Sequence, residues 1–357
     1  MWTYQLRRQR KIALALVYIC LCVFASACQD NRSFPVENVQ KTPPANSAKQ
    51  SDTPTPGLVI QQQNESTPAM KPNSGSQFYF AMGSEPDGAL RTPLVQQAPV
   101  KMLTSWYASH NDLTWITAWH SSFIPSLYAR GYALQLVVWS GGPLVKFNTA
   151  YGPACGLPYP VSSQFLQDMK PLAKTFSGNG PLYVSLFAEF STYTCQNNDW
   201  VGNENYYMAL KDQYRAALTI FHTYAPNSRV SICWGSWLGR YDDPKVIGGR
   251  SFINKFRDIM SLSDFQSFQS METDSNVSDV LNMTTILHRW GKVLLSYYWS
   301  SPATFNADVH AMFTDTYMAK VMANGLFGFS FMTNENLSAP NSPLPFVVSA
   351  VRRYARS

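Results

Sequence analysis

The chain has 357 residues, 14% of them charged and 14% aromatic, with 28 Lys plus Arg against 22 Asp plus Glu, a net charge of +6. Low charge with abundant aromatics excludes disorder as the general state and leaves ample material for a core. Four of the basic residues stand before position 28 with no acid among them, so beyond residue 27 the balance is 24 to 22, or +2, and no nucleic-acid surface is indicated.

In chain order, Arg7-Arg8-Gln9-Arg10-Lys11 leads into an apolar run from Ile12 to Ala27 that ends Ala25-Ser26-Ala27-Cys28. A basic start, an apolar stretch and small residues before a cut site predict a signal peptide over residues 1–27, too short to read as a membrane-spanning helix. Cys28 directly after Ala-Ser-Ala resembles a bacterial lipobox, so lipidation of Cys28 and a membrane anchor are expected; an ordinary signal peptide cut near a Cys is the alternative. Residues 28–76 are rich in Pro, Ser, Thr, Asn and Gln, including Pro43-Pro44 and Thr53-Pro54-Thr55-Pro56. That composition offers little apolar surface against ordering entropy and predicts a flexible linker. The expected setting is an exported chain tethered at a bacterial cell surface or in the periplasm.

Residues 77–357 alternate between β-rich runs and helical patterns. The runs are Phe78–Met82, Val100–Trp106, Ala133–Trp139, Leu182–Phe187, Arg229–Trp234, Phe265–Met271, Lys292–Trp299 and Leu326–Met332. Several are nearly continuously apolar, as parallel strands covered on both faces are. Between them, Ser122 to Gly131 has an early Pro and a terminal Gly, and Glu204 to Tyr224 sets Tyr207, Leu210, Tyr214, Leu218 and Phe221 on one helical stripe. Eight strand–helix units in about 280 residues predict an α/β fold, a (β/α)8 TIM barrel. A doubly wound open sheet is the alternative, but no G-x-G-x-x-G or P-loop follows any strand. Cys155 and Cys195 sit in polar loops and can pair as a disulfide in an oxidising compartment, whereas Cys233 lies in an apolar run and reads as a buried thiol. Neither Cys nor His has metal-ligand spacing, so no metal and no cofactor is expected.

A barrel carries its site at the C-terminal strand ends. Those ends hold Trp106, Tyr107 and His110 after the second run, Trp139 after the third, Glu189 and Tyr193 after the fourth, and Trp234 and Trp237 after the fifth. Glu272 and Asp274 follow the sixth, Tyr297 and Trp299 the seventh, and Glu335 the eighth. Flat aromatic faces suit the C–H faces of sugar rings, and carboxylates suit acid–base work on a glycosidic oxygen. Glu189 is the sharpest candidate, because a charge ending the apolar run Leu182–Ala188 is costly unless it has work or a partner. Burial among aromatics would raise its pKa as a general acid requires. Glu272 and Asp274 are the next catalytic candidates; a turn or helix cap is the plainer role for Asp274. Trp106, Tyr107, His110, Trp139, Tyr193, Trp234, Trp237, Tyr297, Trp299 and Glu335 are expected to contact a polysaccharide or oligosaccharide, and filling of the barrel is the plainer role for any one aromatic.

From about Phe78 to Asn336 the order of features resembles the barrel glycoside hydrolases of the clan A type, particularly family 26. Leu186-Phe187-Ala188-Glu189-Phe190, then Trp200 and the Glu204–Tyr224 pattern, is similar to that family's acid/base Glu, aromatic loop and long helix. Ser231 to Trp237 is similar to its aromatic fifth strand, and Asp264 to Ser270 to its sixth. The resemblance implies glycoside hydrolysis with Glu189 as acid/base. Two departures stand out: Ala188 occupies the place of the family's His, and Lys292–Trp299 contains no carboxylate where the family carries its nucleophile. An inverting enzyme, a retaining one with its nucleophile moved to strand six, and a non-catalytic carbohydrate-binding barrel all remain open. A structural or adhesive surface protein fits least, having no need for carboxylates and aromatics gathered on one rim.

Overall fold

The computed structural model describes residues 78–83, 85–195, 203–240, 242, 251–271 and 274–355. The leader, Cys28 and the linker lie outside the described residues, as do Trp200 and Glu272.

All eight predicted runs form strands: Tyr79–Met82, Met102–Tyr107, Ala133–Trp139, Leu182–Ala188, Ser228–Gly235, Gln266–Ser270, Val293–Tyr298 and Leu326–Phe331. Each pairs in parallel with the next, and the eighth closes on the first, giving the expected (β/α)8 barrel. The helical stripe becomes a helix over Glu204–Tyr224 that buries Tyr207, Leu210, Tyr214 and Phe221 and half-buries Leu218. A shorter helix, Phe123–Ala129, starts after Ser122. No helix among the described residues is long and apolar enough to cross a membrane.

Because successive side chains alternate across a strand, every second residue enters the barrel, and these stack in layers. The N-terminal layer is apolar: Ala81, Met102, Ala133, Tyr183, Phe265 and Leu294, closed below by Tyr79 and Phe327. The middle layer is hydroxylic. Thr104 Oγ1 donates to Gln135 Oε1 at 3.0 Å and meets Ser330 Oγ at 2.8 Å, while Ser185 and Ser296 meet at 2.7 Å. Ser231 donates to Ser267 in the same layer. These short side chains satisfy one another, so a polar interior carries no unmet bonding at this level. The C-terminal layer holds Val137, Ala188, Cys233 and Tyr297, with Trp106, Trp139, Met271 and Met332 packed over them. Cys233 is the buried free thiol expected, and burial pushes it up to about 12.

One element has no counterpart among the predicted runs. An antiparallel hairpin, Val145–Thr149 with Gly152–Gly156, stands between the third and fourth barrel strands. Its turn ends on Gly152 at φ 114°, a conformation that favours glycine. Cys155 on this hairpin pairs with Cys195, Cα to Cα 5.4 Å, in the loop after strand four. The disulfide therefore ties together the connections that leave the third and fourth strands.

Candidate active site

Glu189 owes its placement to a bulge. Val137 of strand three pairs with Ser185 of strand four, yet Trp139 pairs with Ala188, so strand four carries one extra residue. Phe187 takes φ 57° and Glu189 φ 64°, a left-handed backbone that costs non-glycine residues energy and persists only where the surroundings over-determine it. Phe187 turns outward to stack on Phe165, with ring centroids 5.0 Å apart, and Ala188 returns to the interior. The turn after Glu189 is closed by the Thr192 N–H and hydroxyl, each donating to the Glu189 carbonyl at 2.8 Å.

The Glu189 carboxyl is held between two donors. Trp139 Nε1 donates to Oε2 at 3.2 Å and the Tyr297 hydroxyl donates to Oε1 at 3.1 Å. Burial raises its pKa, and the two hydrogen bonds oppose that rise without cancelling it. Tyr297 is the penultimate residue of strand seven, where no carboxylate stands, and packs edge-on against Trp106 with centroids 4.6 Å apart. Two indoles are seated by glycines: a Cβ on Gly141 would come within 2.5 Å of the Trp139 ring, and one on Gly235 within 2.5 Å of the Trp237 ring. Gly235 shares the inner face of strand five with Cys233, so Trp237 folds back over the barrel mouth.

Two functional-looking residues at this end were not singled out in the sequence. Glu85, ending the connection from strand one, has φ 58°, and its Oε2 accepts from Ser105 Oγ at 2.9 Å. Burial pushes its carboxyl up to about 8, against hydrogen bonds from Ser105 and the Trp106 backbone. The rule that singled out Glu189, a charge closing an apolar strand, applies to Gly83-Ser84-Glu85-Pro86 as well. Gln269 lies on the inner face of strand six, between Ser267 and Met271, paired with Gly235 and Tyr297. It is fully buried, and both of its side-chain amide atoms lack a hydrogen-bond partner among the described residues.

Three of the aromatics expected to contact substrate face elsewhere. Trp106 and Tyr107 are adjacent, so only one can enter the mouth; Tyr107 is buried toward the helices. Its hydroxyl donates to Asp168 Oδ2 at 2.8 Å. Trp234 follows the inward Cys233 and therefore points outward, fully buried against Phe190, Phe252 and Phe256. Tyr193 is also buried, its hydroxyl bonded to backbone. His110 is exposed, and its Nδ1 lies 2.8 Å from Asp168 Oδ1. Burial disfavours the Asp168 anion, yet hydrogen bonds from Tyr159, Gln164, His110 and Tyr107 outweigh it and hold the carboxyl below its usual range. Trp299 is half-buried just past strand seven, Asp274 is exposed on the turn before the helix Asn276–Leu287, and Glu335 is exposed on the short helix Glu335–Ser338. Trp139 and Tyr297 are thus the expected residues that the fold brings onto Glu189.

No protein-family profile matches the chain, and no curated protein matches it in sequence. Many solved structures match it in fold. A GH42 β-galactosidase from G. stearothermophilus does so with a TM-score of 0.51 at 10% identity, over 79% of this chain and 57% of that one. An endo-1,4-β-D-mannanase from Thermotoga petrophila RKU-1 gives 0.49 at 10% identity over 78% and 99% of the two chains. An exo-β-1,4-mannosidase from Opitutaceae bacterium strain TAV5 gives 0.46 at 10% identity over 79% and 58%. The chain spans a little over half the length of the galactosidase and of the mannosidase. The resemblance to clan A barrels expected from the sequence therefore holds at the level of the fold.

Proposed function

We propose that the chain is an exported glycoside hydrolase that cleaves a polysaccharide or oligosaccharide, with Glu189 as the general acid at the glycosidic oxygen. The observation that carries this is the Glu189 carboxyl itself, held in a strained turn at the end of strand four, half-buried, between the Trp139 indole and the Tyr297 hydroxyl. A carboxylic acid whose burial keeps its proton to higher pH can deliver that proton to a departing sugar oxygen near neutrality. Trp106, Trp139 and Trp237 around it offer faces for sugar rings. The structures that share the fold, a galactosidase, a mannanase and a mannosidase among them, support the choice of substrate class.

The second carboxyl is drawn from Glu272 or Asp274 after strand six, and Glu85 adds a further carboxyl at the same end of the barrel. A separation of about 5 Å between the working pair would give retention, and about 6.5–9.5 Å inversion. Export through residues 1–27 and anchoring through Cys28 belong to the same reading, and the Cys155–Cys195 disulfide supports an oxidising compartment.

The test is reducing-end release from a glycan panel by the wild-type chain and Glu189→Gln in parallel. Loss of about 10²–10⁴ in rate is expected for removal of a general acid. Wild-type rates in the variant would remove Glu189 from the mechanism. One observation favours a second reading, a barrel that binds glycan without cleaving it: strand seven, Val293–Tyr298, and the Trp299 that follows it hold no carboxylate. That reading predicts retention on a glycan by both proteins and cleavage by neither.

A further inference from the structure

Tyr193 is buried, and its single hydroxyl makes two backbone hydrogen bonds. It accepts from the Ser140 N–H at 3.0 Å and donates to the Ala188 carbonyl at 2.6 Å. Ser140 directly follows Trp139, and Ala188 directly precedes Glu189. Trp139 and Ala188 are themselves cross-strand partners at the point where the bulge has shifted the register. One oxygen thus joins the backbone behind the donor indole to the backbone ahead of the acceptor carboxyl.

The segment carrying Tyr193 is fixed in turn. The Leu157 N–H donates to the Tyr193 carbonyl at 2.8 Å, the Cys195 N–H to the Cys155 carbonyl at 3.1 Å, and the disulfide closes the same contact. From the role proposed for Glu189, we infer that Tyr193 is a positioning residue: its hydroxyl sets the approach of the Trp139 indole N–H to the Glu189 carboxyl, and the stapled hairpin holds it there. The physical need is evident in the backbone. Phe187 and Glu189 both occupy left-handed conformations, which relax unless surrounding bonds over-determine them. Removing the hydroxyl leaves a buried N–H and a buried carbonyl without this partner at the corner where the strain is held.

Tyr193→Phe in the full chain keeps the ring and deletes both bonds. With its thermal midpoint within a few degrees of wild type, we expect kcat to fall roughly tenfold, the scale of one hydrogen bond, with KM nearly unchanged. A weakened indole bond to the anion also raises the Glu189 carboxyl further, so the alkaline limb of the rate profile moves to higher pH. The third readout needs no substrate: the Trp139 indole N–H resonance in chains labelled at tryptophan, identified by its absence in Trp139→Phe, shifts upfield as its bond lengthens. A fall in activity with the indole resonance and the alkaline limb both at their wild-type positions means a merely structural role and overturns the inference. If the wild-type chain cleaves no glycan, the acid role of Glu189 falls instead, and the indole resonance still decides whether Tyr193 governs the Trp139–Glu189 bond.

Discussion

At Glu189 burial and hydrogen bonding pull in opposite directions, and the balance between them predicts what each neighbour does. The Tyr297 hydroxyl stabilises the anion, so Tyr297→Phe leaves Trp139 alone to oppose burial, and the carboxyl rises further. The ring stays packed on Trp106, which keeps the loss to the hydroxyl. The expected outcome is an alkaline limb displaced to higher pH and a several-fold lower kcat, read from the pH–rate profile on whichever glycan is cleaved. A limb displaced downward would show that the hydroxyl does not act on the ionised carboxyl. Gln269 gives the opposite kind of prediction. Its two orphaned amide atoms cost desolvation without return, so Gln269→Met, of similar volume, stabilises the chain by about 1–3 kcal/mol. Thermal unfolding checks this, and a lower midpoint would mean that the amide has a partner in solution. Both residues illustrate what one strand can and cannot reveal. The charge of Glu189 is visible at the end of its own apolar run. The isolation of Gln269 depends on Gly235 and Tyr297, which belong to neighbouring strands.

Among the elements, the eight strands and the Glu204–Tyr224 helix were legible because each carries its burial in its own spacing. The orientation of single side chains was not. Tyr107 and Trp234 turn away from the mouth by simple alternation with Trp106 and Cys233, whereas the bulge at Phe187 resets alternation in strand four, and nothing in the run Leu182–Ala188 marks it. The hairpin escaped for a related reason: Val145–Thr149 buries no residue fully, and its partner Gly152–Gly156 is built of Gly, Pro, Ala and Cys with no apolar run of its own. What fixes that hairpin is its pairing and the bond between Cys155 and Cys195, 40 residues apart. Closing a loop of that length restricts the unfolded chain by about 3–4 kcal/mol on the chain-entropy account. Replacing both cysteines by alanine should lower unfolding stability by roughly that amount in urea titration, and reductant should then have no further effect. The same variant should also displace the Trp139 indole resonance, because the staple holds Tyr193. Equal stability with and without the bond would show that the hairpin is held by its other contacts alone.

For the whole molecule, the proton-holding groups at the C-terminal end of the barrel set how stability varies with pH. Glu85 is raised from 4.5 to about 8 by burial, and Glu189 is raised as well. Each keeps in the folded state a proton that the unfolded chain has already released, so its contribution is complete below the ordinary carboxyl range and is lost as pH climbs through the folded value. Asp168 and Asp258 are lowered and act with the opposite sign, but their contribution is lost only as pH falls below the ordinary aspartate range, near 3.8. Between those limits the glutamates decide the slope. The urea midpoint should therefore be higher at about pH 5 than at about pH 8.5, and Glu85→Gln, which cannot ionise, should flatten the decline. An unchanged slope in that variant would mean that Glu85 releases its proton in the ordinary range and has water at its carboxyl. The expected fall has a structural origin. The apolar and hydroxylic layers of the barrel are satisfied at any of these pH values, whereas Glu85, bonded to Ser105 on the outer face of strand two, and Glu189, bonded to Trp139 and Tyr297 at the barrel mouth, are acids that water would rather ionise, so the C-terminal end of the barrel is the end that weakens in alkali.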